Sequence, residues 1–545
     1  MNINFDNGTI LTMDKSREIA KSMTVSDGLI SRVDAIHPSY ETVDLKGRCV
    51  MPGFIDSHHH LFLTACERYG WTLTQNSASS ISELLDELRT FDKLDRGESW
   101  LRVHGYNPLK LRERRSPTAI ELDSVSTNRP IHLITSTYHE SSVNSFGLDL
   151  LKLSQSNLER IVRNRKGNPT GVMIEDASFF AESISREEPV NFPEHWRKRA
   201  VRHAKALMES GITRIGDMAV PESSVELYKM IEKEVELSCH LYLTDSDRIS
   251  KPLHPSVVQS TDLNNSKLFG VSVAGIKLLA DGGERCSMCL SSKQMIASIG
   301  LTFKGFLHGG MKAFTIANRS GKAQKGSDGI FKLGIRVLND ASIYDIINQS
   351  HESGVQVAIH AVGNEAAHLA ALAFSTSKRQ SELAKRVEHV MIADQNILCK
   401  LVEADSVIVM QPGFLDTFGD ELYLVPPPKP LSFMPTNTLR NLGGTISISS
   451  DFPASTYKPF SNIYSAIRRR KGDENEQVSI KEALMMYTAN GALALGLKSK
   501  AGSIVEGAAA DFIVLSKDPT KCKPEELLKI EVLETWISGN KVFSK

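Results

Sequence analysis

Between residues 50 and 449 the chain alternates short apolar runs with helical stretches, and this alternation restricts the fold more than any other feature. The apolar runs cover residues 50–58, 213–218, 240–244, 271–279, 355–360, 387–392, 407–411 and 445–449. They are short and rich in Val and Ile, as strands buried on both faces should be. Helical patterns lie between several of them; residues 342–350 precede the 355 strand and residues 365–375 follow it. Repeated strand–helix alternation points to an α/β fold with a parallel sheet. Eight strands close naturally into a (β/α)8 TIM barrel.

At 545 residues the chain is too long for one ordinary core. Its two ends read differently from its middle. Residues 8–13, 20–25, 29–33, 510–515 and 535–542 look like strands separated by turns such as Ser26-Asp27-Gly28. We therefore expect residues 1–50 and 500–545 to form one composite β-sandwich domain, and residues 51–499 to form the barrel. Residues 71–194 break the rhythm. They are irregular, charged and rich in turn signals such as Arg114-Arg115-Ser116-Pro117. We read them as a large insertion after the first barrel strand, lying over the barrel mouth. No internal repeat or low-complexity tract is visible.

Charge excludes some partners. The 64 basic residues balance the 64 acidic ones, so neither nucleic acid nor a membrane surface is expected. The first residues lack the basic start and apolar stretch of a signal peptide. No window offers the roughly 20 apolar residues of a membrane helix. Seven cysteines, an odd number, fit a reducing compartment such as the cytoplasm. Cys286 and Cys289 form a lone CxxC without a second pair, which reads as loop residues rather than a metal knuckle.

The chemistry lies at the strand ends. Side chains in a strand alternate faces, so in His58-His59-His60 the outer two share a side and His59 faces away. Two imidazoles at the C-terminal end of a barrel strand can share a metal ion. Alone, such a pair is weak evidence. Four further polar groups end or nearly end later strands: Lys277, His360, His389 and Asp451. Each has a plain reading too. A strand-end histidine can be a satisfied core residue, Asp451 a helix cap, and Lys277 a partner for Asp281. Taken together, they occupy the face where barrels place their active sites.

Pro52-Gly53-Phe54-Ile55-Asp56-Ser57-His58-His59-His60 resembles the first-strand metal motif of the amidohydrolase superfamily. Four segments resemble its YtcJ-like branch, which includes N-substituted formamide deformylases. They are Gly275 to Gly282, Ile359-His360-Ala361-Val362-Gly363-Asn364, Arg386-Val387-Glu388-His389 and Ser449-Ser450-Asp451-Phe452-Pro453. The segment from Gly502 to Leu515 resembles the family's closing β segment. The resemblance implies a divalent-metal hydrolase, with one or two ions, zinc first among them. His58, His60 and Asp451 would hold the more buried metal. A carboxylated Lys277 would bridge to a second, held by His360 and His389. Asp451 would be the general base and acid. The substrate would be a small molecule with an amide or formamide C–N bond, and His139, in the insertion, would contact it. Glu175 reads as a solvated loop carboxylate. The alternatives are a single-metal deaminase, a lactone or ester hydrolase, and a non-catalytic binding relative. A homodimer is the default assembly.

The chain departs from the usual pattern twice. Gly363-Asn364 stands where an aspartate often follows the glycine. Gly282-Gly283-Glu284-Arg285-Cys286 replaces the commoner Gly-Ser-Leu-Gly. Both loops are expected near the substrate.

Overall fold

The computed structural model describes residues 2–67, 78–94, 99–152, 160–187, 189–245, 251–261, 268–319, 321–377 and 383–545. Its centre is an eight-stranded parallel sheet. The strands are β1 (Phe54–His59), β2 (Ile212–Pro221), β3 (Ser238–Thr244), β4 (Val271–Leu279), β5 (Gln356–Ala361), β6 (Lys385–His389), β7 (Ser406–Met410) and β8 (Thr445–Ile448). They lie side by side in chain order. The first and last meet to close the barrel. Ser57 Oγ and Ser447 Oγ are 2.8 Å apart, and the Asp451 N–H donates to the His58 carbonyl at 2.9 Å. Nearly every residue of these strands is buried, which explains their continuous apolar runs.

Residues 50–58, read as one strand, are two. Cys49–Pro52 pairs with Phe512–Leu515 in a terminal sheet, and β1 begins at Phe54. The chain changes sheets at Gly53, where a Cβ would fall 2.3 Å from Thr213 Cγ2. Only glycine allows that approach.

The two ends of the chain do share sheets. A six-stranded sheet runs Asn540–Ser544, Val532–Ile537, Phe512–Leu515, Cys49–Pro52, Thr9–Leu11, Ile19–Ala20. A four-stranded sheet of N-terminal strands accompanies it. Phe5 packs edge-on against Phe512 and Trp536, with centroids 4.9 and 5.1 Å away.

The insertion is more ordered than its sequence pattern suggests, although residues 71–77, 95–98, 153–159 and 188 of it lie outside the described residues. It holds a five-stranded sheet in the order Ile161–Arg163, Pro169–Ile174, Glu140–Val143, Ile131–Thr135, Leu101–Tyr106. These strands bury polar side chains, among them His132, Glu140, Ser141 and Ser142. Leu101–Tyr106 and Ile131–Thr135 do alternate, with Leu101, Val103, Ile131 and Leu133 in one apolar cluster, but Glu140–Val143 carries no apolar period. A second extension, between β4 and β5, was not singled out in the sequence. It carries helices Ser292–Gly309 and Lys312–Ala317 and a small sheet containing Met288–Leu290. Among the described residues no helix is long and apolar enough to cross a membrane.

Candidate active site

The polar strand ends converge on one cavity of about 320 Å³, a size suited to a small molecule. His58, His60, Lys277, His360, His389 and Asp451 all line it. His139, Tyr138 and Phe179 from the insertion supply one wall; Met288, Ile316 and Arg319 from the second extension supply another.

His58 and His60 share a single acceptor. The Nε2 atoms lie 3.3 and 2.9 Å from the same oxygen, Asp451 Oδ1. All three residues offer a ligand atom within 4.8 Å of one another. Each imidazole is oriented from behind through Nδ1. His58 Nδ1 is 2.6 Å from Glu388 Oε2, and His60 Nδ1 is 3.0 Å from the Met218 carbonyl. Such contacts fix the tautomer and direct Nε2 into the site. Burial alone would raise the Asp451 pKa, but His58 and His60 hold the carboxyl well below its ordinary range.

Backbone turns aim two of these groups. Asp451 has φ 51° and His389 has φ 76°. Non-glycine residues seldom adopt this region, and it recurs at functional sites. The turn at Asp451 is held by Asp56, whose Oδ1 accepts the Ser450 N–H at 2.7 Å. His59 faces away from the cavity, as alternation requires. It reaches Asp56 Oδ2 at 2.9 Å and His203 Nε2 at 3.0 Å, so it braces the same turn.

Lys277, His360 and His389 sit beside this trio with fewer partners. His389 Nδ1 is 2.8 Å from Gln411 Oε1. The Lys277 ammonium and His360 Nε2 are buried without a hydrogen bond to any of the described residues. Lys277 does not pair with Asp281, whose carboxylate takes the backbone N–H groups of Ser287, Val362 and Gly363 at 2.9–3.0 Å. Burial pushes the Lys277 pKa down to about 8 and the His389 pKa down to about 3.

Glu388 lies beneath the cavity, wholly buried, and accepts from Arg386 Nε at 2.9 Å and Nη2 at 3.1 Å. Burial opposes its charge, yet Arg386 and His58 lower its pKa. Asp56, Glu388 and Gln411 were not picked out in the sequence. The signal available was position: Glu388 adjoins His389, and Asp56 lies two residues before His58.

Two expectations need correction. Glu175 is not solvated. It is 1% exposed and lies 2.5 Å from His139 Nδ1. Burial would lower the His139 pKa, but Glu175 raises it. Of the two unusual loops, Gly283, Glu284 and Cys286 do line the cavity, but Asn364 does not. Asn364 clamps a strand instead, accepting from the Cys289 N–H at 3.0 Å and donating to the Cys289 carbonyl at 2.8 Å. Among the described residues, Cys286 and Cys289 join no metal-ligating group.

Comparison with known proteins then assigns the family. The amidohydrolase family model matches residues 41–543. The chain belongs to the amidohydrolase family. It is accordingly an enzyme acting on carbon–nitrogen bonds other than peptide bonds. This amidohydrolase is 27% identical to the N-substituted formamide deformylase of Arthrobacter pascens, covering 98% of this chain and 96% of the relative. It is 24% identical to YtcJ, an amidohydrolase by name, of Bacillus subtilis (strain 168), covering 99% and 98% of the two chains. Its fold matches an uncharacterized metal-dependent hydrolase from Pyrococcus horikoshii OT3 with a TM-score of 0.69 at 21% identity, covering 96% of this chain and 99% of that one.

Proposed function

We propose that this amidohydrolase is a metal-dependent hydrolase that cleaves the C–N bond of a small formamide or amide. One observation carries the reading: two imidazoles and a carboxylate converge within 4.8 Å at a cavity. The relative named as an N-substituted formamide deformylase supports the substrate class.

The donor set fits a divalent metal, with zinc as our choice, because imidazole nitrogen and carboxylate oxygen are its preferred ligands. His58, His60 and Asp451 would hold one ion. His360, His389 and Lys277 would hold a second, which accounts for two buried groups, Lys277 Nζ and His360 Nε2, that lack hydrogen bonds. A lysine cannot ligate as an ammonium. With its pKa lowered to about 8, the neutral amine of Lys277 is accessible, and adding carbon dioxide with loss of a proton yields a carbamate. The metal, when bound, lowers the pKa of a water from 15.7 toward about 7 and polarises the carbonyl.

The chain's own residues do the rest. Asp451 accepts the proton of the attacking water and returns it to the leaving nitrogen. Glu388 and the Met218 carbonyl keep the Nε2 atoms of His58 and His60 turned into the site. Phe179, Phe414 and Phe433 give the cavity apolar walls, which limit water and strengthen electrostatics inside. The test is a screen of N-formyl and N-acyl amines against the purified chain, with zinc, manganese or iron added back. Metal-dependent release of amine is expected. Failure to bind any of these metals would sink the reading.

A further inference from the structure

We propose that the helix Ser292–Gly309 is a docking face for an anionic lipid surface, lying flat on the bilayer rather than crossing it. This inference does not depend on the hydrolase reading above.

The helix is turned inside out. Ile296, Ile299, Phe303, Phe306 and Leu307 recur at three- and four-residue spacings, so they share one stripe about 100° wide. Such a stripe ordinarily faces a core. Here it faces outward: Ile296 is 71% exposed, Phe303 58% and Leu307 80%, and Met311, just beyond the helix, is exposed too. The inward face is made of small residues. Thr302 and Gly305 are buried, and a Cβ on Gly305 would fall 2.5 Å from the Leu424 carbonyl oxygen. The close approach at Gly305 therefore keeps the stripe pointing out. The stripe is also held in shape. Phe314, on the helix Lys312–Ala317, packs against the Phe303 and Phe306 rings, with centroids 5.6 and 5.5 Å away. Exposed apolar side chains gathered in this way mark contact with something outside the chain.

Charge decides what that is. The chain as a whole is neutral, and the balance hides a local excess. Residues 285–327 hold seven basic residues and no acidic one. Two of the seven are engaged elsewhere: Arg319 pairs with Glu284, and Lys312 with Glu421. Lys293 and Lys304 are exposed and form no ion pair with the described residues. Both lie along one edge of the apolar stripe in helical projection. Asp328, the next acid along the chain, turns its carboxylate to the Ile330 N–H at 3.0 Å. A second copy of this chain, docked face to face, would set these cations against their own copies. A bilayer containing phosphatidylserine suits both features. The apolar side chains enter the acyl boundary, and the lysine stems carry their ammonium groups out to the phosphates.

The inward face of the same helix adjoins the cavity. Ser298 lines it, as do Ile316 and Ala317 on the following helix. Docking would set that wall of the cavity beside the bilayer.

The experiment is flotation of the purified full chain with two kinds of vesicle, phosphatidylcholine alone and phosphatidylcholine with a third of the lipid replaced by phosphatidylserine. The chain should float with the anionic vesicles, and high salt should weaken that binding by screening the lysines. Phe303→Ser combined with Leu307→Ser should weaken it roughly tenfold or more. Lys293→Gln and Lys304→Gln should each weaken it about fivefold. All four side chains are exposed, so Tm should stay at the wild-type value, and the lysine variants carry the test if the serine variant folds poorly. Failure to bind the anionic vesicles would overturn the proposal. So would equal binding to the neutral vesicles, or binding unmoved by these substitutions. Sedimentation velocity without lipid supplies the remaining outcome: a wild-type dimer that the serine variant dissociates would give this face to a second copy and overturn the lipid assignment.

Discussion

The two halves of the cavity floor are assembled on different terms. On one side His58, His60 and Asp451 already satisfy one another, and Glu388 and a backbone carbonyl brace the imidazoles. On the other side Lys277 Nζ and His360 Nε2 are buried with no hydrogen bond to the described residues, and His389 is braced by Gln411. The first half is a preformed ligand set that holds its shape through pairwise attraction. The second carries a desolvation cost that the charges of Glu388 and Asp451 only partly offset at Lys277. The contrast implies a division of labour: chemistry is anchored where groups are paired, and the capacity to take up something further is stored where they are not.

The largest effect tests the paired half. Asp451→Asn keeps an oxygen beside both histidines but removes the proton acceptor. Turnover should fall about 10³–10⁴-fold, the upper part of the range for general acid–base catalysis, with metal largely retained by elemental analysis. Full activity would remove Asp451 as the base and break the assignment.

Glu388→Gln attacks the same half from beneath. The amide leaves the buried Arg386 guanidinium without its counter-charge, costing roughly 3–5 kcal/mol in denaturant melts. It also weakens the brace on His58, so metal affinity should drop about 10–100-fold. Because Arg386 and His58 lower the folded Glu388 pKa, its contribution is present above the unfolded carboxylate pKa. It is lost as pH falls through the folded value. The wild type should therefore lose stability toward acid more steeply than the variant does.

Lys277→Met probes the unpaired half, and its sign should be opposite. Lys277 holds its proton less readily when folded, with a pKa of about 8 against 10.5. The unfolded chain thus binds more protons between about pH 8 and 10.5, and metal-free stability should rise with pH through that window. Below it the penalty is present in full, on the order of 3 kcal/mol. The metal-free methionine variant should be more stable than wild type at pH 7 by up to that amount, with a flatter pH profile. Its bound metal should fall from two ions to one. Equal metal content in the two proteins would show that Lys277 takes no part in a second site.

What could be read in the sequence divides along similar lines. Barrel strands such as Val271–Leu279 announce themselves because both faces are buried and the residues are apolar. The six strand-end polar groups stand out against those runs, and the structure brings them to one cavity. Hidden were the groups that act through partners distant in sequence. Glu388 is ordinary until Arg386 and His58 fold onto it, 330 residues away in the second case. Glu175 reads as a loop carboxylate because its partner, His139, is 36 residues off and its own backbone has φ 53°. The insertion's sheet was hidden for another reason: its strand Glu140–Val143 buries glutamate and two serines and carries no apolar period.

The smallest effect concerns Asn364, the first residue of the helix Asn364–Thr376 that follows β5, on the unpaired side of the floor. Its sequence position suggests a substrate contact, since an aspartate often stands there. Its geometry says otherwise: the side chain donates to the Cys289 carbonyl and accepts from the Cys289 N–H. That clamp holds the strand Met288–Leu290, whose Met288 and Leu290 side chains face the cavity. Asn364→Ala leaves two backbone groups of this strand unpaired, at a cost of about 1–3 kcal/mol. Asn364→Asp should be worse. A carboxylate can still accept the N–H, but it turns a second acceptor and a negative charge toward the carbonyl. The Tm order should be wild type, then Ala, then Asp, with KM for a formamide rising modestly in proportion to the loss of Tm. Asp above Ala in stability, or a KM defect without any fall in Tm, would return Asn364 to the substrate and make the unpaired side a recognition surface.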